Sequence, residues 1–349
     1  MKPIDNFKKR VDASRQHVVD STINDLKADL RNEKLKYKEL LADHLGFKKS
    51  CGWLDIMANE YSQVAPIRIL SKTGTSEGTA IAVGGDWHVF ESVKPEQVNG
   101  LNEYNPEIAK DSIDEFFKGI VAWTNVHRSK LKIKTLVLAL IGDFMSGMIH
   151  DDLAENNAGT PQEEIIFIMD RLTAGIDFLL KNGDFKEIVI ACCDGNHGRD
   201  TKFTRTAGRV KHSHEWLLYQ FLAKLYRERG VKNIKFNITS SYHLYQDIYD
   251  WKFRIHHGDA CRYLGGVGGL TIPINKAIFA WNQNIKVDFD ILGHYHQSLY
   301  PGNFICNGSI IGYSPYALQI KASYERPQQA FLIVDSKRFI TSYNKIIVR

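Results

Sequence analysis

The chain has 349 residues, 44% of them hydrophobic, and its 45 lysines and arginines against 40 aspartates and glutamates leave a formal charge of +5. That length and apolar content suit one large α/β domain with a smaller appendage and exclude a disordered chain; the small cationic excess would help to hold a polyanion but identifies no nucleic-acid protein. No stretch approaches the run of about 20 apolar residues that a bilayer requires, Met1–Arg10 lacks a signal-peptide core, and five cysteines without C-x-x-C spacing suit reduced thiols, so a cytoplasmic protein with no membrane partner is expected.

Residues 7 to about 60 read as helical, being rich in charged and aliphatic residues with no proline between Pro3 and Pro66. Within them Tyr37–Leu54 looks like a helix-turn-helix, with a first helix ending at Leu45, Gly46 at the turn and a second helix led by Lys48, Lys49 and Ser50. Gly52 and Asp55 stand where that motif needs apolar packing residues, so a helical packing or homo-oligomerisation module competes with DNA binding. The alternating charges of residues 7–36 suit an exposed or paired helix. The segment Ser71–Gly78 (SKTGTSEG) has linker composition. We therefore divide the chain into a helical module at 1–70 and a larger domain at 71–349.

In the larger domain short apolar runs alternate with helical patterns. Thr79–Gly85 precedes a helix over Pro106–His127, Thr135–Ile141 one over Gln162–Lys181, and Glu187–Cys193 one over His212–Arg229. Strands then dominate, at Phe253–His257, Phe289–Leu292, Asn303–Cys306, Gln329–Asp335 and Ile340–Val348, with one helix near Ile272–Trp281. An α/β first half and a strand-rich second half predict an α+β sandwich of two packed mixed sheets flanked by helices.

Five consecutive predicted strands end in metal-ligand residues: Asp86-Trp87-His88, Asp143, Asn196-His197, His257-Gly258-Asp259 and His294-Tyr295-His296. The carboxyl edge of an open sheet is where α/β folds place their sites. Oxygen and imidazole donors without thiolate suit manganese, iron, zinc, cobalt or nickel. Four imidazoles, two aspartates and an amide exceed the needs of one ion, so two divalent ions are expected, with Asp143 bridging them. Each short motif alone also fits a hydrogen-bonded structural residue; all five in order at strand ends do not. Of the adjacent His256 and His257, the second directly precedes glycine at the strand end, and the first should face the other way.

The order D-x-H, G-D, G-N-H, H-G and G-H-x-H, over about residues 79 to 335, resembles the calcineurin-like metallophosphoesterases, a family that includes protein phosphatases, cyclic-nucleotide phosphodiesterases and double-strand-break repair nucleases. The resemblance implies that Asp86, His88, Asp143 and His296 hold one ion, manganese being the first expectation, and Asp143, Asn196, His257 and His294 the other. A hydroxide bridging the ions would attack a phosphate ester, and His197 would protonate the leaving oxygen. Where many relatives carry an acid after G-N-H this chain has Gly198, which leaves the group that orients His197 unassigned.

Two further segments bear on the substrate. After Asp143 comes an insert holding His150, Asp151, Asp152, Glu155, Asn156 and Asn157, which fits either a wall beside the metals or a polar cap and loop. Phage-encoded members of the family have a similar I-H-x-x-L-A-E-x-N stretch, which implies a virus-encoded protein. After His197 a basic loop carries Arg199, Lys202, Arg205, Arg209 and Lys211. With His150, the residues Arg199, Lys202 and Arg205 are the candidate substrate contacts. A nuclease or phosphodiesterase acting on DNA is the leading expectation; a phosphomonoesterase or small-molecule phosphodiesterase is the alternative.

Overall fold

The computed structural model describes residues 3–61, 76–149, 151–263 and 269–349. His150 lies outside them. The chain forms two compact units, Met1–Lys72 and Thr73–Arg349.

The first unit contains one helix, α1 (Pro3–Tyr61), 59 residues long. The turn expected at Gly46 is absent, because the helix runs through it. A glycine costs a helix interior only about 1 kcal/mol, and helix-forming leucine, lysine, alanine and glutamate around it offset that amount. The helix-turn-helix expectation is corrected accordingly.

The second unit runs β1 (Glu77–Gly84), α2 (Pro106–Arg128), β2 (Lys132–Leu140), α3 (Asp151–Asn156), α4 (Pro161–Asn182), β3 (Glu187–Cys192), α5 (His214–Glu228), β4 (Ile234–Ile238), β5 (Leu244–Ile248), β6 (Trp251–Ile255), α6 (Thr271–Asn282), β7 (Phe289–Leu292), β8 (Phe304–Cys306), α7 (Pro315–Gln319), β9 (Gln328–Asp335) and β10 (Phe339–Ile347). A six-stranded mixed sheet has the order β10-β9-β1-β2-β3-β4, and a four-stranded mixed sheet the order β5-β6-β7-β8. Strand periodicity explains the layering. Ala80, Ala82, Leu136, Leu138, Ile188 and Ile190 face α2, α4 and α5, while Ile81, Val83, Val137, Ala139 and Ala191 face Phe253, Ile255, Phe289 and Ile291 of the smaller sheet. On that sheet's outer side Leu292, Phe304 and Cys306 pack with Ile274 and Ile278 of α6. The fold is the expected one of two mixed sheets flanked by helices.

The strands β4 and β5 had no counterpart in the sequence reading. The apolar residues of β4 alternate with Lys235 and Asn237, those of β5 are interrupted by the adjacent Gln246 and Asp247, and both strands lie at sheet edges. They also separate the third ligand-bearing strand from the fourth, so the five strands are not consecutive. Cys192, Cys193, Cys261 and Cys306 are buried and free, and no described helix is long and apolar enough to cross a membrane.

Candidate metal centre

Five loops meet where the carboxyl ends of β1, β2 and β3 approach those of β6 and β7. The loop after β1 is laced to the loop after β2 by backbone bonds from Asp86 N to Gly142 O (3.0 Å), Trp87 N to Asp143 O (2.8 Å) and Val89 N to Phe144 O (3.0 Å), and Gly293 N donates to His257 O (2.8 Å) between β6 and β7. Asp86, His88, Asp143, His294 and His296 all have positive φ, between 47° and 76°. Left-handed backbone at five non-glycine residues costs energy that the surrounding packing must hold, and such strain collects at functional sites. Gly195 leaves room for the closest approach, since a Cβ there would lie 2.0 Å from Asp143 Oδ1.

The side chains form three groups whose ligand atoms lie within 4.8 Å of one another: Asp86, His88 and His296; Asp143, His257 and His294; and His88, Asp143 and His197. Asn196 joins the second group through Oδ1, 3.1 Å from His257 Nε2. Asp86, His88 and His296, expected around one ion, fall in the first group, and Asp143, His257 and His294, expected around the other, in the second; Asp143, expected in both sets, also groups with His88. His197, expected outside the metal shell, falls in the third group, with Nε2 4.0 Å from Asp143 Oδ2. His256 points to the opposite face, its ring 5.0 Å from that of Trp281 and its Nε2 3.6 Å from Asp290.

The donor set fits divalent cations. Nε2 of His88 and Nε2 of His296 face each other at 3.1 Å, and the buried Nδ1 atom of each ring has no hydrogen-bond partner. Two converging imidazole nitrogens with no acceptor between them suit a shared cation. Burial pushes His88 well below the usual imidazole range, His294 to about 4 and His296 to about 3, so these rings present lone pairs at neutral pH. His257 behaves differently. Burial works against its charge, but the Asp143 carboxylate 2.8 Å away outweighs this and lifts it to about 10. Its Nδ1–H donates to Ile141 O at 2.9 Å, which turns Nε2 toward Asp143 and Asn196. Burial raises Asp86 to about 8 against the pull of His257.

Two buried glutamates that the sequence reading missed support the centre. Glu215, on the first turn of α5, accepts from the backbone N–H of Asp143 (3.2 Å), Phe144 (2.7 Å), Met145 (3.3 Å) and Gly195 (2.8 Å). A Cβ on Gly198 would come within 2.8 Å of its Cγ. Glu164 of α4 accepts from Ser146 N (2.6 Å) and Gly147 N (3.2 Å). The loop so held presents Ser146 O to His197 Nδ1 at 2.8 Å. A backbone carbonyl therefore orients the ring whose partner was unassigned. Nothing in the local motifs marks either glutamate; the one available signal is an acid on the inward face of an amphipathic helix.

That arrangement makes Glu164 a positioning residue for His197. Replacing it with alanine frees Ser146 N and Gly147 N, and we expect turnover to fall about tenfold as the carbonyl loses its fixed place. The alkaline limb of the pH–rate profile, where the proton donor is lost, should broaden or shift in Glu164→Ala and return in Glu164→Gln, which keeps an acceptor. An unchanged profile in both would remove Glu164 from this role.

A cleft of about 800 Å³ opens onto the centre, and its lining includes His88, Asp143, Asn196, His197, His294 and His296, together with Glu91, Ser92, Gln97, Asp151, Asn156 and Tyr316. No lysine or arginine is among the described lining residues. Arg199 instead donates to the carbonyls of Asn196, Thr201 and Lys202. Arg209 is spent on Asp194 and Asp259 at 3.1 and 2.8 Å. Lys202 and Arg205 are exposed outside the cleft.

No family model matches the chain, and no curated protein matches it. Solved structures with some likeness include Vps29 from Entamoeba histolytica complexed with zinc (13% identity over 77% of this chain and 99% of that one, TM-score 0.30). A hypothetical protein from Pyrococcus horikoshii (12%, 78% and 88%, TM-score 0.35) and a protein from Streptococcus pneumoniae predicted to be a phosphoesterase (12%, 77% and 97%, TM-score 0.28) are others. Likeness this slight assigns neither family nor activity, and the functional reading rests on the centre itself.

Proposed function

We propose that the chain is a metal-dependent phosphoric ester hydrolase of the calcineurin-like type, holding two divalent ions between the ends of β1, β2, β3, β6 and β7. The observation that carries this reading is the convergence of two aspartates, four ligand histidines and Asn196 around Asp143, with three of the imidazoles kept neutral by burial. Divalent ions held there would offset phosphoryl charge and acidify an attacking water. His197 contributes the proton. Its Nδ1 is committed to Ser146 O, so Nε2 is the ring nitrogen that gains and loses a proton beside Asp143.

The cleft supports the alternative substrate class over nucleic acid. Its described lining residues include Glu91, Asp151, Gln97 and Asn156 but no lysine or arginine, which suits an ester with a single phosphate and hydrogen-bond donors on its organic group. A DNA strand would need cationic contacts for its successive phosphates. The exposed Lys202 and Arg205 are what remains in favour of a polymer.

With manganese present, bis-p-nitrophenyl phosphate, p-nitrophenyl phosphate, a nucleoside monophosphate and linear duplex DNA should be compared before and after chelation. We expect a small ester to be cleaved, chelation to abolish cleavage, and His197→Ala to slow it about 100-fold. Chelator-resistant hydrolysis would overturn the metal reading, and DNA cleaved faster than every small ester would restore the nuclease.

A further inference from the structure

We infer that α1 is one strand of a parallel, in-register, two-stranded coiled coil whose partner is a second copy of this chain. The inference rests on the first unit alone and is independent of the chemistry of the second. A helix of 59 residues is about 90 Å long. Its exposed apolar residues include Val19, Ile23, Leu26, Leu30, Tyr37 and Leu40, each between 42% and 72% accessible. Spacings of four and three alternate along that row, broken once where Glu33 stands between Leu30 and Tyr37, and this is the heptad seam of a coiled coil rather than the broader stripe of a helix packed on a globular core. Phe7, Val18, Leu35, Leu41 and Leu45 fall off the row.

Assigning Ile23, Leu30 and Tyr37 to position a places Val19, Leu26 and Leu40 at position d. Ile23 at a and Leu26 and Leu40 at d match the preference for two strands, and Gln16, Glu33 and His44 on the same seam are the kind of polar core residues that fix register.

The flanking charges select the partner. In a parallel pair each g residue meets the e residue five places on in the other helix. Arg15 would then face Asp20, Asp29 would face Lys34 and Asp43 would face Lys48, all of opposite sign, while Thr22 meets Lys27 and Lys36 meets Leu41 without conflict. No like-charged pair occurs. The surface is also shaped for this partner. Tyr37, Leu40, Leu41 and His44, with Asp43, line a hollow on the helix. Those four residues occupy positions a, d, e and a, the set that forms the hole for a d knob, and in register that knob is Leu40 of the second copy.

The test is the mass of the full chain in solution at low-micromolar concentration, by light scattering on a sizing column. We expect twice the monomer mass for the wild type and the monomer mass for Leu26→Asp/Leu30→Asp, with near-ultraviolet circular dichroism of the second unit unchanged. Leu26→Cys in a Cys51→Ser background should cross-link to itself on mild oxidation, as parallel register requires. Asp29→Lys should weaken self-association several-fold, and adding Lys34→Asp should restore it. A monomeric wild type overturns the proposal, as does a dimer that forms no cross-link at Leu26→Cys, and charge variants without effect overturn the pairing.

Discussion

Asp143→Asn should lose metal binding and reduce ester hydrolysis about 1,000-fold, equivalent to about 4 kcal/mol of transition-state stabilisation. Asp143 belongs to two of the three ligand groups, and its Oδ2 lies 2.8 Å from His257 Nε2 and 4.0 Å from His197 Nε2. Burial alone would disfavour its charge, yet His257 and His197 hold it well below the usual carboxylate range. An amide keeps the shape and the acceptor for His197 N–H, now at 2.7 Å from Oδ1, but it removes the charge that makes the centre attractive to a cation. Titration calorimetry with manganese, beside the hydrolysis rate, separates loss of the ions from loss of fold. An asparagine variant that binds manganese and turns over like the wild type would rule out a central role for Asp143.

Glu215→Ala should destabilise the second unit by about 3–5 kcal/mol and lower its melting temperature by about 10 °C. The four amides that Glu215 accepts from belong to the loops after β2 and β3, and they are buried. Alanine leaves them without an acceptor in a place water does not reach, and each such group costs about 1–3 kcal/mol. Burial, with the Asp143 charge adding to it, raises Glu215 to about 7, which measures how costly its own charge is there. Glu215→Gln retains an acceptor oxygen for two of the four amides and should lose about half as much. Thermal unfolding of both variants without added metal provides the measurement. Equal stability of wild type and alanine variants would show that the loops do not depend on this carboxylate.

The supporting residues divide from the ligands in how they could be read. Asp86, Asp143, Asn196, His257 and His294 stand two to four residues after apolar strands, so periodicity and local order point to one edge. Glu164 and Glu215 sit on helices 17 to 72 residues away from the amides they hold, and the carbonyl that turns His197 belongs to a serine whose side chain plays no part in it. Backbone acceptors have no residue type. Arg199 and Arg209 read as a phosphate-binding loop because charge is visible in a sequence, whereas the carbonyls and carboxylates that engage them are not. Gly46 was mistaken for a turn because glycine marks both turns and tolerated helix positions, and only the continuous α1 distinguishes them.

By itself, then, the sequence determined the two-sheet layering, through strands whose apolar residues alternate, and the candidate ligand residues, through polar residues that follow buried strands. It also carries the heptad row of α1, since spacing along a helix is a local property. The tertiary structure alone decided which acids lie beneath the centre, what orients His197, and that the basic loop does not line the cleft. These depend on contacts between residues far apart in the chain, whose energies come from burial and directed hydrogen bonds that no local pattern records.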